Sequence, residues 1–163
     1  MRLKPRTLLT AAVLPALLAP VLAAPAALAT PTALAAERPA TRHCTVLVSP
    51  TRTLGESCTD GRSAAPAVRD GQTLLLEEYA DVNYGGGVLY TFYGDAGGCD
   101  ATGYHLVNYI DVALNVSSMW GYNNCTKATL TSPLDKVETV SLPASYLGKD
   151  FNDAVRELQV FRG

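Results

Sequence analysis

Two histidines, four cysteines and one adjacent pair of glutamates are the residues of this 163-residue chain best placed to do chemistry, and their spacing argues against most of it. His43 stands beside Cys44, and His105 lies in Gly103-Tyr104-His105-Leu106, which reads as a loop. Cys44, Cys58, Cys99 and Cys125 include no C-x-x-C pair, so they do not read as a zinc site. A nucleophile needs a base and a group that orients the base, and neither histidine carries such a signature. There is no G-x-S-x-G and no H-E-x-x-H, and Gly85-Gly86-Gly87 reads as a hairpin turn rather than a phosphate cradle. Glu77 and Glu78, adjacent on a strand, would face opposite sides of the sheet, which is poor geometry for shared acid and base work. The expectation is a protein that is not an enzyme, with no catalytic residue and no cofactor.

What positions the remaining residues begins with compartment. Arg2, Lys4 and Arg6 precede an apolar Leu/Ala/Val run ending in small residues, which marks residues 1–29 as a secretory signal peptide, with an alternative end at 35. Pro15, Pro20 and Pro25 interrupt that run and oppose a retained membrane span. The mature chain is therefore expected to be secreted and extracellular, with no membrane association after cleavage. In that compartment four cysteines read as two disulfides. Three connectivities exist; the neighbour pairing, Cys44 with Cys58 and Cys99 with Cys125, is preferred because it does not cross the core. Each bridge would contribute roughly 3 kcal/mol by restricting the unfolded chain.

Charge divides the mature chain into blocks. Without residues 1–29 it holds ten basic against fifteen acidic residues, a net −5, which disfavours nucleic acid as a partner. Residues 37–69 carry Arg38, Arg42, Arg52, Arg62 and Arg69, whereas residues 70–126 carry seven acidic residues and no lysine or arginine. A separation this complete can steer a charged protein partner.

Short segments rich in β-branched and aromatic residues, bounded by Gly, Pro, Asn or Asp, predict strands. They are Thr73 to Glu78, Val88 to Tyr93, Ser117 to Tyr122, Lys127 to Thr131, Glu138 to Leu142 and Glu157 to Phe161. Thr45 to Val48 reads as an edge strand, and Thr59 to Gly71 has turn composition. The organisation expected is an N-terminal disulfide-tied arm over residues 30–72, holding Cys44 and Cys58, followed by one all-β sandwich over residues 73–163. Deleting residues 37–70 is then expected to leave the sandwich folded.

Between two of these strands lies Tyr79-Ala-Asp-Val-Asn-Tyr84-Gly85-Gly86, with aromatics at its first and sixth positions and glycine at its eighth. This resembles the folded hairpin of β/γ-crystallin Greek-key motifs, and the resemblance implies an all-β, double Greek-key sandwich. Each such motif also carries a later Asn/Asp-Asn/Asp-x-x-Ser/Thr-Ser element. Here Ser117 and Ser118 keep the serines but Ala113 and Leu114 replace the amide or acidic pair, while Asn152 and Asp153 keep the pair but Arg156 and Glu157 replace the serines. Thr131 to Glu138 lacks a second aromatic corner. With both halves damaged, the family's calcium site is expected to be absent or weak. The layout also resembles small secreted actinobacterial proteins with a crystallin-like domain, some grouped with peptidase inhibitors. That resemblance implies a protein-binding module, such as an adaptor in an umbrella-type toxin particle, with another secreted protein as partner and Arg52, Arg62 and Arg69 as binding residues. The alternatives are a peptidase inhibitor presenting Arg62-Ser63 or Arg69, and a calcium-binding or stress-protective protein.

Overall fold

The structure, a computed structural model, describes residues 42–59, 70–109 and 114–163. The signal segment, Arg62, Arg69 and Ala113 lie outside the described residues. Strand β1, His43–Ser49, alternates strictly: Cys44, Val46 and Val48 enter the core, and the residues between them face outward. It pairs antiparallel with β2, Arg52–Thr59, and parallel with β4, Val88–Gly94. Next come β3, Thr73–Tyr79, and β6, Ser118–Gly121, giving a five-stranded sheet in the order β2-β1-β4-β3-β6. The second sheet is β5-β9-β7-β8, built from Tyr104–Val107, Glu157–Phe161, Lys127–Thr131 and Val137–Ser141. The fold is thus all-β, with two sheets and two disulfides.

The core lies between the sheets. Tyr90, Phe92, Leu75 and Met119 of the first sheet meet Leu106, Leu130, Leu158 and Val160 of the second in one cluster of buried side chains. Chain order does not follow sheet membership: β5 leaves the first half to pair with β9, and Ala144 bridges back to Met119 on β6. Neither half can bury its apolar face alone, because each lends backbone to the other's sheet.

Three expectations change here. Residues 43–59 are not an appended arm, since β1 is an interior strand with three side chains in the core and β2 is the edge. The described residues from 42 onward belong to one compact unit, with no domain boundary at 72/73. His105 lies on β5 rather than in a loop, its exposed imidazole Nε2 3.4 Å from Glu157 Oε2. Both disulfides join neighbours as expected, Cys44 to Cys58 across β1 and β2, and Cys99 to Cys125 near the start of β7. Such bonds point to an oxidising, extracellular environment. Among the described residues no helix is long and apolar enough to cross a membrane.

Glu77 and Glu78 do face opposite ways. Glu78 is wholly buried, with Tyr90 and Met119 as its register partners. Burial pushes its carboxyl up to about 8, against a smaller opposing effect of the hydrogen bond from Asn108. Asn108 Nδ2 donates to Glu78 Oε1 at 3.3 Å and to the Val155 carbonyl at 3.1 Å, while Glu78 Oε2 and Asn108 Oδ1 have no partner among the described residues. Both orphaned atoms are acceptors on one already bonded pair. A proton on the Glu78 carboxyl removes an uncompensated buried charge and gives this acceptor-rich pair a second donor.

Candidate functional site

The aromatic corner is built as its spacing requires. The rings of Tyr79 and Tyr84 meet edge to face at 5.7 Å, and the chain turns through Asn83, Tyr84 and Gly86 at φ of 55°, 61° and 71°. A Cβ on residue 86 would fall 2.6 Å from the carboxyl carbon of Asp81, so glycine is demanded by sterics as well as by φ. Ser118 fastens the corner, its Oγ donating to the Asp81 carbonyl at 2.7 Å and accepting from the Tyr84 N–H at 3.0 Å.

Beside the corner lies an open cleft whose lining includes Asp81, Ser117, Asn152 and Asp153. Ser117 Oγ donates to Asp153 Oδ1 at 3.2 Å, and Asn152 Nδ2 donates to Asp153 Oδ2 at 2.7 Å. Ser117 of the first half and the Asn152-Asp153 pair of the second therefore meet in one place, which separate inspection of the two halves does not reveal. The residues that replace the second half's serines take another course. Arg156 bonds Asp135 at 3.0 Å and Glu157 at 2.9 Å, so a guanidinium neutralises the acidic groups there. In place of a second aromatic corner, Ser132 Oγ accepts from the N–H groups of Leu134 and Lys136 and closes a tight β7–β8 turn.

Catalytic geometry is poor among the described residues. His43 Nε2 lies 2.9 Å from Thr91 Oγ1, but Thr91 is nearly buried and no described side chain orients the other ring nitrogen. Burial lowers the His43 pKa, partly offset by the Glu77 charge, so the imidazole is neutral and serves as a cross-strand tie. Cys44, Glu56 and Cys58 cluster closely enough to suggest metal ligands, yet both sulfurs are consumed in a disulfide.

Arg52 opens β2 and is exposed. With eight residues, β2 is the longest described strand, and among those residues only β1 pairs with it. The structure also brings together a group that no sequence motif marks, on the outer face of the five-stranded sheet. Tyr79 and Tyr122 both donate to Glu77 Oε2, at 2.7 and 2.6 Å, and Trp120 is the register partner of Glu77 on β6. The only trace of it in the sequence is the alternation that sends Glu77 and Tyr79 outward.

Comparison of the chain with protein-family models, with curated proteins and with solved structures found no match.

Proposed function

We propose that this chain is a secreted, non-enzymatic protein-binding module, an adaptor or interaction subunit of an extracellular, toxin-type assembly, on a β/γ-crystallin-like double Greek-key sandwich. Supporting the fold reading are the Tyr79–Tyr84 corner and the exchange of β5 and Ala144 between sheets, which interlocks the two halves of the chain. The observation that carries the functional reading is β2, a long sheet edge tied by Cys44–Cys58 to an interior strand and led by exposed Arg52. An open edge offers a row of backbone donors and acceptors to an extended partner segment, and a fixed edge loses little entropy on pairing. Affinity recovery of the tagged mature protein from its native culture medium tests this. The expected result is a stoichiometric secreted partner that is lost on replacing Arg52 by glutamate. An active protease in its place would transfer the assignment to peptidase inhibition, and no partner at all would refute both.

A weak calcium site is a secondary reading, favoured by the meeting of Ser117 with Asp153. Those oxygens fit a hard cation, but one carboxylate and one hydroxyl fall well short of six to eight ligands. We expect millimolar affinity, so about 1 mM calcium adds only about 0.4 kcal/mol of stability and barely moves the melting temperature. Micromolar binding by calorimetry, abolished by Asp153→Asn, would show that backbone oxygens complete the set.

A further inference from the structure

The residues that build the outer face of the five-stranded sheet around β3 come from the stretch of chain without lysine or arginine, and Glu77 sits at the centre of that face. Its Oε2 is held by two phenols, while Oε1 accepts no hydrogen bond from any described residue and is not among the buried orphaned atoms. No basic side chain lies within ion-pair distance of it among the described residues. The nearby imidazole of His43 does not compensate the charge, being neutral through burial.

Aromatic rings surround this carboxylate. Trp120, the only tryptophan of the chain, is 39% exposed and packs edge to face on Tyr84 at 4.7 Å, with Tyr79 continuing the row. Tyr93 lies two residues along β4 from Thr91, the register partner of Glu77, and its phenol is raised chiefly by burial and further by the Glu77 charge. Burial, and then the bond to Glu77, also push the Tyr79 and Tyr122 phenols up, so both stay protonated donors to Glu77.

We propose that this face is a second binding site, in which the Glu77 carboxylate and the rings of Tyr79, Tyr93, Trp120 and Tyr122 receive an arginine side chain of a partner protein. A guanidinium is the group that satisfies both features, since it donates to a carboxylate through N–H groups and stacks on aromatic faces with little desolvation cost. A half-buried carboxylate also gains more from a cation than a fully hydrated one does, because screening is weaker there. The site is separate from the β2 edge, with β1 and β4 between them in the sheet, and it stands whether or not that edge is the principal interface.

Trp120 reports on the site directly. Titrating the mature protein at physiological salt with an acetylated (Gly-Arg)3 amide peptide should give a saturable change in tryptophan emission. Glu77→Gln keeps an acceptor for both phenols and should leave the melting temperature nearly unchanged, yet weaken the peptide by about tenfold or more. Glu138→Gln removes the same charge from exposed β8 of the other sheet and should leave binding as it was. The absence of a saturable response, or equal weakening by both variants, overturns the proposal by leaving only non-specific attraction. So does a saturable response to neutral cellohexaose that Glu77→Gln does not alter, which would make the face a sugar platform.

Discussion

Deleting residues 37–70 should abolish folding. The segment contains β1, which places Cys44, Val46 and Val48 in the core at 2% exposure or less and supplies the parallel neighbour of β4. Burying one aliphatic side chain of this size is worth about 1.5–3 kcal/mol. The loss of the two valines and of the Cys44–Cys58 cystine, with the void and the unpaired β4 edge they leave, consumes a large share of the roughly 5–15 kcal/mol that typically holds a domain together. The deleted protein should therefore show no cooperative thermal transition by circular dichroism and should bind a hydrophobic dye. A single change, Val46→Asp, should act in the same direction by burying an unpaired charge. A cooperative melt of the deletion variant near the wild-type temperature would mean that β3, β4 and β6 close a core without β1, and that the N-terminal segment is an arm after all.

The second large effect is a fall in stability with rising pH, removed by Glu78→Gln. Glu78 has a folded pKa of about 8 against an ordinary 4.5, so folding takes up a proton between those values. The stability it contributes is complete below pH 4.5 and is lost as pH rises towards 8, at about 1.4 kcal/mol per pH unit. His43 works with the opposite sign: its pKa is lowered by burial, so its contribution is present above its ordinary 6.5 and lost as pH falls below. Comparing the variant with wild type cancels that contribution. Glutamine reproduces the neutral acid, with an oxygen to accept from Asn108 Nδ2 and an amide donor in place of the acid proton, but no proton to lose. Chemical denaturation across about pH 5–8 should show the variant equal to wild type at the acid end and more stable at the alkaline end, by an amount on the order of 4 kcal/mol. Parallel curves for the two proteins would show that the buried carboxyl is neutralised by other means.

Both results turn on features that the chain's local pattern half revealed. Lys127–Thr131 and Glu157–Phe161 were legible to the residue, because apolar residues alternate there with polar ones between clear turn signals. The corner at Tyr79–Gly86 was equally legible, since ring packing and the positive φ of Gly86 act within eight residues. Cys44, Val46 and Val48 also alternate visibly, but alternation says that a strand has an apolar face and not where in a sheet it lies. The parallel partner of β1 is β4, more than forty residues away, and no turn links the two. Strand β5 escaped notice for a related reason, being four residues long and paired only with β9 at the far end of the chain.

The same division holds for the candidate sites. Residue types and spacing determined by themselves that the cysteines would be spent in disulfides and that residues 70–126 hold seven acidic residues and no lysine or arginine. They also determined that Ser117 and Ser118 follow Ala113 and Leu114 while Asn152 and Asp153 precede Arg156 and Glu157, because these are properties of composition and short range. Only the tertiary structure decided that Ser117 and Asp153 meet in one cleft. Only it decided that Glu78 is sealed against Asn108 while Glu77 is held outward by two tyrosines. Those outcomes depend on which strands become neighbours across long loops, and that choice is made by the collective burial of the core rather than by any segment on its own.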